Sequence, residues 1–187
     1  MKFLSDIMTS PILSPALQME EELVAELAQL GICYLSRQSI APPTQTHAPA
    51  ELIADLTRQP SSRVRAALIP LFLAHPQYAA HVRDAAKNID SGQAITLKFF
   101  YTAAALLQRK YEDRLRQDDA PTLPDLFGTE LGLSSTSIDE QLDELGKKHQ
   151  AASGLRLNWA GSYENAGRHL LRQWELEGKW NASRPIS

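Results

Sequence analysis

The chain has 187 residues, 43% of them hydrophobic and 22% charged, the proportions of a chain that folds around a core. Its net charge of −3 gives no global attraction to nucleic acid or to an anionic membrane, and Cys33, the single cysteine, excludes an intramolecular disulfide. One helical domain is the expected organisation. The N-terminal stretch MKFLSDIMTSPILSP is interrupted by Asp6 too early for a signal-peptide core, and no run reaches the ~20 apolar residues of a membrane-spanning helix. The cytoplasm is therefore the expected location.

A first helix is expected over residues 19–30, where Leu23, Leu27 and Leu30 share a face, Glu20, Glu21 and Glu22 load the positive end of the dipole, and Gly31 ends the run. Cys33 follows within Ile32-Cys33-Tyr34-Leu35 and is expected to be a small buried thiol. Residues 36–48 contain Pro42-Pro43, which suits neither a helix interior nor a central strand, so an exposed loop is expected there. Pro49 fits the first turn of a helix carrying Leu52, Ile53 and Leu56, which Pro60 stops. Residues 63–73 read as a buried helix bent at Pro70, or as two short helices.

After His75-Pro76, residues 77–87 supply a shorter helix, followed by turn chemistry at Asp90-Ser91-Gly92. The longest helix is expected over residues 94–117, with Leu97, Tyr101, Gln108, Tyr111 and Leu115 on one stripe and charges crowded into its second half. Two short helices are expected over residues 125–131 and 138–150, around Gly132. Residues 155–159 are the only candidate extended segment, and a final helix carries Leu170, Leu171 and Trp174 from about Ser162 onward. The plan is all-α: an irregular helical bundle.

No chemistry-bearing motif stands out. The five histidines, His47, His75, His81, His149 and His169, show no metal-ligand spacing, and there is no glycine-rich phosphate loop, dinucleotide fingerprint or nucleophile elbow. No cofactor or metal is expected. An enzyme remains conceivable only through groups assembled in three dimensions, such as His75, His81, Glu112 and His169. Residues 126–148 superficially follow a helix-turn-helix pattern, but Asp139, Glu140, Asp143 and Glu144 on the second helix would repel phosphate, so a plain helical hairpin is the favoured reading.

Charge alternates in blocks. Residues 51–116 carry ten basic against six acidic side chains, and residues 117–150 two basic against eight acidic, an arrangement that favours pairing of the two blocks within the fold. Two segments combine aromatic with polar groups: Lys98-Phe99-Phe100-Tyr101 and Asn158-Trp159-Ala160-Gly161-Ser162-Tyr163. Consecutive aromatics on a helix point in several directions, which suits a core helix packed on several sides. The functional alternative is an interface anchored by Arg63, Arg65, Phe100, Tyr101, Arg109, Trp159 and Tyr163, since aromatics and arginine are favoured anchors.

The succession AALIPLFLAHPQYAAHV, FFYTAAALLQRKY, LPDLFGTELGL and NWAGSYENA, within residues 50–175, resembles a group of small bacterial helical proteins that look like companions of minimal nucleotidyltransferases, in the manner of toxin–antitoxin pairs. Residues 60–67 also resemble one helical-repeat unit, which alone makes no solenoid. The resemblance implies a non-catalytic protein that binds a protein partner, a nucleotidyltransferase being the implied one. A nucleic-acid-binding regulator is the second expectation, no membrane is involved, and homo-oligomerisation is left open.

Overall fold

A computed structural model describes residues 14–35, 42–115 and 121–182. In chain order the helices are α1 (Pro15–Gln29), α2 (Pro49–Arg58), α3 (Ser62–Arg65), α4 (Leu68–Ala74), a 3-10 helix (Pro76–His81), α5 (Val82–Lys87), α6 (Ser91–Lys110), α7 (Glu112–Leu115), α8 (Ile138–Ser153) and α9 (Trp159–Ala182). No strand occurs among the described residues, so the all-α plan holds. No helix among them is long and apolar enough to cross a membrane.

Local chemistry sets the boundaries. Ser14 caps α1, accepting from the Leu17 amide at 3.4 Å, with Pro15 in the first turn, so this helix starts four residues before the expected Met19. Asp90 and Gln93 form a reciprocal capping box, with the Gln93 amide donating to Asp90 Oδ1 at 2.8 Å, so α6 begins at Ser91 rather than Ala94. At its other end α6 stops at Lys110; Tyr111 intervenes before α7, and residues 116 and 117 of the expected long helix lie outside the described ones. Residues 63–73 resolve into the second of the two alternatives, α3 and α4, with the break at Ala66-Ala67 and Pro70 held in the first turn of α4, where a missing amide costs little.

Two expected elements do not form. Residues 125–131 make a hydrogen-bonded turn, Leu131 donating to the Phe127 carbonyl at 2.8 Å, while Gly132 adopts φ +67° and turns the chain away. Residues 155–159 form no strand either: the Leu157 and Trp159 amides donate to the carbonyls two residues back, at 2.9 Å each, and no neighbouring strand offers a ladder. The final helix accordingly begins at Trp159, on the Asn158 cap, whose Oδ1 accepts from Gly161 at 2.9 Å.

The core is one continuous cluster in which α6 is central, burying Leu97, Phe99 to Leu107 and packing against α4, α8 and α9. Ala103, Ala104 and Ala105 let neighbouring helices approach closely, and Phe100 and Tyr101 fill different sides of the helix. Residues 42–48 form a mostly exposed connection, as expected for that part of the loop; residues 36–41 lie outside the described set. Glu22 and Glu26 of α1 clasp it, accepting from the Thr44 amide at 2.8 Å and the His47 amide at 2.9 Å.

Candidate functional site

The C-terminal turn of α2, α3, the first turns of α6, the end of α8 and the start of α9 enclose a cleft of about 260 Å³, whose lining includes Arg58, Arg65, Gln93, Phe100, His149 and Trp159. His149 occupies the apolar stripe of α8 that also carries Leu142 and Leu145. Its ring stacks on Trp159 with centroids 3.7 Å apart and on Phe99 at 4.5 Å, and meets the edge-on Phe100 at 5.7 Å. Its Nδ1 lies 2.5 Å from the Tyr163 hydroxyl.

Burial, and after it the charge of Arg65, lowers the His149 pKa from 6.5 to about 4, so the imidazole is neutral near pH 7. Burial raises the Tyr163 pKa and keeps its phenol protonated. An imidazole nitrogen accepts better than a phenol oxygen, which assigns Tyr163 as donor to Nδ1 and leaves the ring proton on Nε2. The cleft thus has a rigid aromatic floor with an uncharged donor in it.

Arg65 stands beside that floor, half-buried. Its Nη1 donates to the carbonyls of Gln59 at 2.5 Å and Pro60 at 3.2 Å, and among the described residues it makes no ion pair with a carboxylate. Arg58 differs: it pairs with Asp55 at 2.6 Å and also donates to the Asn88 carbonyl. The indole N–H of Trp159 is buried without a hydrogen-bond partner.

Of the seven residues expected at an interface, Arg65, Phe100 and Trp159 come together at this cleft and Tyr163 lies directly behind it. Phe100, Tyr101, Trp159 and Tyr163 are buried at 3%, 0%, 6% and 0% exposure, so their apolar faces serve packing and leave no aromatic surface for a partner. Tyr101 points elsewhere, edge-on to Phe72 and Phe127, with its hydroxyl donating to the Pro124 carbonyl at 2.9 Å. Arg63 is exposed but donates to the Leu35 carbonyl, and exposed Arg109 folds back to the Ala105 carbonyl of its own helix at 3.4 Å.

No family model, no curated protein and no solved structure matches this chain.

The residues considered for a dispersed catalytic site share no hydrogen bond or ring contact. His75 bonds through Nε2 to the Leu30 carbonyl at 2.7 Å, His169 stacks on Tyr34 at 5.0 Å, and His81 and Glu112 sit on other elements. No group of three or more His, Cys, Asp or Glu side chains among the described residues is arranged to hold a metal ion. His47 meets Glu26 at 2.6 Å and Asp55 at 3.6 Å, joining the 42–48 connection to α1 and α2. Cys33, expected to be buried, is exposed: the chain turns after Gly31, Ile32 and Leu35 take the buried positions, and Cys33 lies at the surface, its amide donating to Gln173 Oε1 at 3.0 Å. Because residues 125–131 form only a turn, residues 126–148 contain neither a helix-turn-helix nor a helical hairpin.

Sequence reasoning missed His149. The available signal was its place seven residues after Leu142 and four after Leu145, which puts it on the buried face of an otherwise polar helix.

Proposed function

We propose that the chain is a non-catalytic cytoplasmic binding protein that docks a protein partner through the connector between α8 and α9. The observation that supports this reading is the pair Leu155 and Leu157, 50% and 47% exposed on a five-residue segment with Arg156 exposed between them. Large apolar side chains exposed next to one another mark interaction surfaces more often than isolated ones do. Neighbouring Gly154, at φ +68°, terminates α8 and begins the segment. The aromatic candidates being committed to the core, this connector is one of the exposed apolar surfaces among the described residues, beside Leu17 and Met19 of α1 and Leu176 of α9, and the one that sets a basic side chain between two leucines. It suits a partner offering an apolar contact beside a carboxylate.

The likeness of residues 50–175 to companions of minimal nucleotidyltransferases makes an enzyme of that class the partner to test first, in an antitoxin-like pairing. Capture from a lysate of the native host, followed by calorimetry with the purified partner, should yield one specific protein. Leu155→Asp combined with Leu157→Asp should weaken its binding at least about ten-fold, or ~1.4 kcal/mol, without changing the helical circular dichroism. Recovery of no protein other than the chain itself, or equal binding by the double variant, overturns the reading.

A further inference from the structure

Residues 42–48 lie against α1 and α2 with little to bury: Thr44, Gln45, Thr46 and Ala48 are exposed, and only Pro43 and His47 are partly covered. Hydrophobic burial therefore contributes little to holding this strap in place. Carboxylates hold it instead. Besides the Thr44 and His47 amides, the Thr44 hydroxyl donates to Glu22 Oε1 at 2.9 Å and the Ala48 amide to Glu51 Oε2 at 3.2 Å. The His47 ring joins both helices, with Nδ1 2.6 Å from Glu26 Oε2 on α1 and Nε2 3.6 Å from Asp55 Oδ2 on α2.

The acidic seat thus faces a segment whose only ionisable side chain is His47. Glu26 is buried at 5% exposure, and Asp55 is shared with Arg58, 2.6 Å away. Tyr78 of the 3-10 helix also feels the seat: burial, and after it the charge of Glu26, raises its pKa, so its phenol stays neutral. A neutral imidazole carries one N–H and an imidazolium two. With a carboxylate opposite each ring nitrogen, only the charged ring presents a proton to both. The neutral ring turns a lone pair toward one of them and leaves buried Glu26 without a cation.

We propose that His47 is a proton-operated latch: charged, it ties residues 42–48 to α1 and α2 together, and on losing its proton it lets this strap lift from Glu22, Glu26 and Asp55. Imidazole is the side chain that ordinarily changes charge near neutral pH. Proton loss removes an attraction that exists only in the closed form, so the closed form gives way as the pH rises. Helix α1 keeps its place through buried Leu23 and Leu27, which confines the opening to the strap. The latch is independent of the docking reading, because it uses no residue of the α8–α9 connector.

Amide exchange with water at Thr44 and His47, read by NMR on the full chain and divided by the rate of an unstructured peptide, measures the opening. Protection at both amides should fall at least about three-fold between about pH 6 and about pH 8. The Gln93 amide, which donates to the Asp90 carboxylate, is the internal control and should hold its protection. His149, neutral throughout this range, adds nothing to the step. His47→Gln, which has no proton to lose, should abolish the step, and Asp55→Asn, which withdraws the α2 partner, should shrink it. If His47→Gln does not fold, Asp55→Asn decides. Protection independent of pH in the wild-type chain, an equal step at Gln93, a step that survives in folded His47→Gln, or one undiminished in Asp55→Asn would each overturn the proposal.

Discussion

At His149 a titratable ring is packed against Phe99, Phe100 and Trp159 and bonded to Tyr163, with Arg65 the nearest influential charge. Protonating it would place an imidazolium in a site only 2% exposed and beside another cation. A histidine whose folded pKa is lowered binds a proton more readily when unfolded. Its contribution to stability is therefore complete above pH 6.5 and is lost as the pH falls from 6.5 to about 4, below which it changes no further. The full loss is on the order of 3 kcal/mol. Urea denaturation at pH 7 and pH 5 should show the wild-type chain weaker at pH 5, and His149→Gln should flatten that difference; parallel pH profiles would contradict the assignment. The sequence places His149 on an apolar stripe, yet nothing in it names Trp159 and Phe99 as the rings it meets, because those contacts join α8 to two other helices.

Between elements, α8 and α9 meet at Gly146, where a Cβ would lie 2.9 Å from the Ala160 amide nitrogen. Backbone cannot yield as a flexible side chain does. Gly146→Ala should therefore destabilise by about 1–3 kcal/mol from overpacking, exceeding the helix-propensity gain of about 1 kcal/mol. Gly178 of α9 is the internal comparison, since nothing lies within 4 Å of its added Cβ, and Gly178→Ala should stabilise by up to about 1 kcal/mol. Chemical denaturation of both variants checks the opposite signs. Helix existence was legible wherever apolar spacing ran for several turns, as in α1, α2, α6 and α8. Starts were less legible: Asp90 with Gln93 is a capping box spelled out in the sequence, but Asp90-Ser91-Gly92 reads equally well as a turn. Residues 125–131 carry helical spacing but close only as a turn that Gly132 ends, and Leu155 and Leu157 alternate like a strand without a sheet to join.

Across the whole molecule, the basic middle and acidic later blocks do pair. Lys98 meets Glu130, and Lys110 of α6 bridges Asp139 of α8 at 2.5 Å and Glu164 of α9 at 2.6 Å. These two carboxylates hold the Lys110 pKa above its ordinary value. Lys110→Met should leave them facing each other without a cation. Because Asp139 is largely exposed, the cost should be only about 1 kcal/mol, read as a lower melting temperature at low salt that narrows at high salt. A difference independent of salt would assign the loss to packing of the lysine stem. Arg114 pairs likewise with Glu175 at 2.5 Å, so the charged second half of the expected long helix faces α9 rather than solvent alone.

What the sequence determined by itself is the helical class, most helix interiors and the alternation of charge in blocks, since periodicity and net charge are local or additive quantities. Only the tertiary structure decided that Phe100, Tyr101, Trp159 and Tyr163 are core, that Cys33 is exposed, and that Arg65 shares a cleft with His149. Burial and pairing depend on which helices pack together, and the side chains that meet at this cleft come from positions as far apart as Thr57 and Trp159, a separation no local pattern spans.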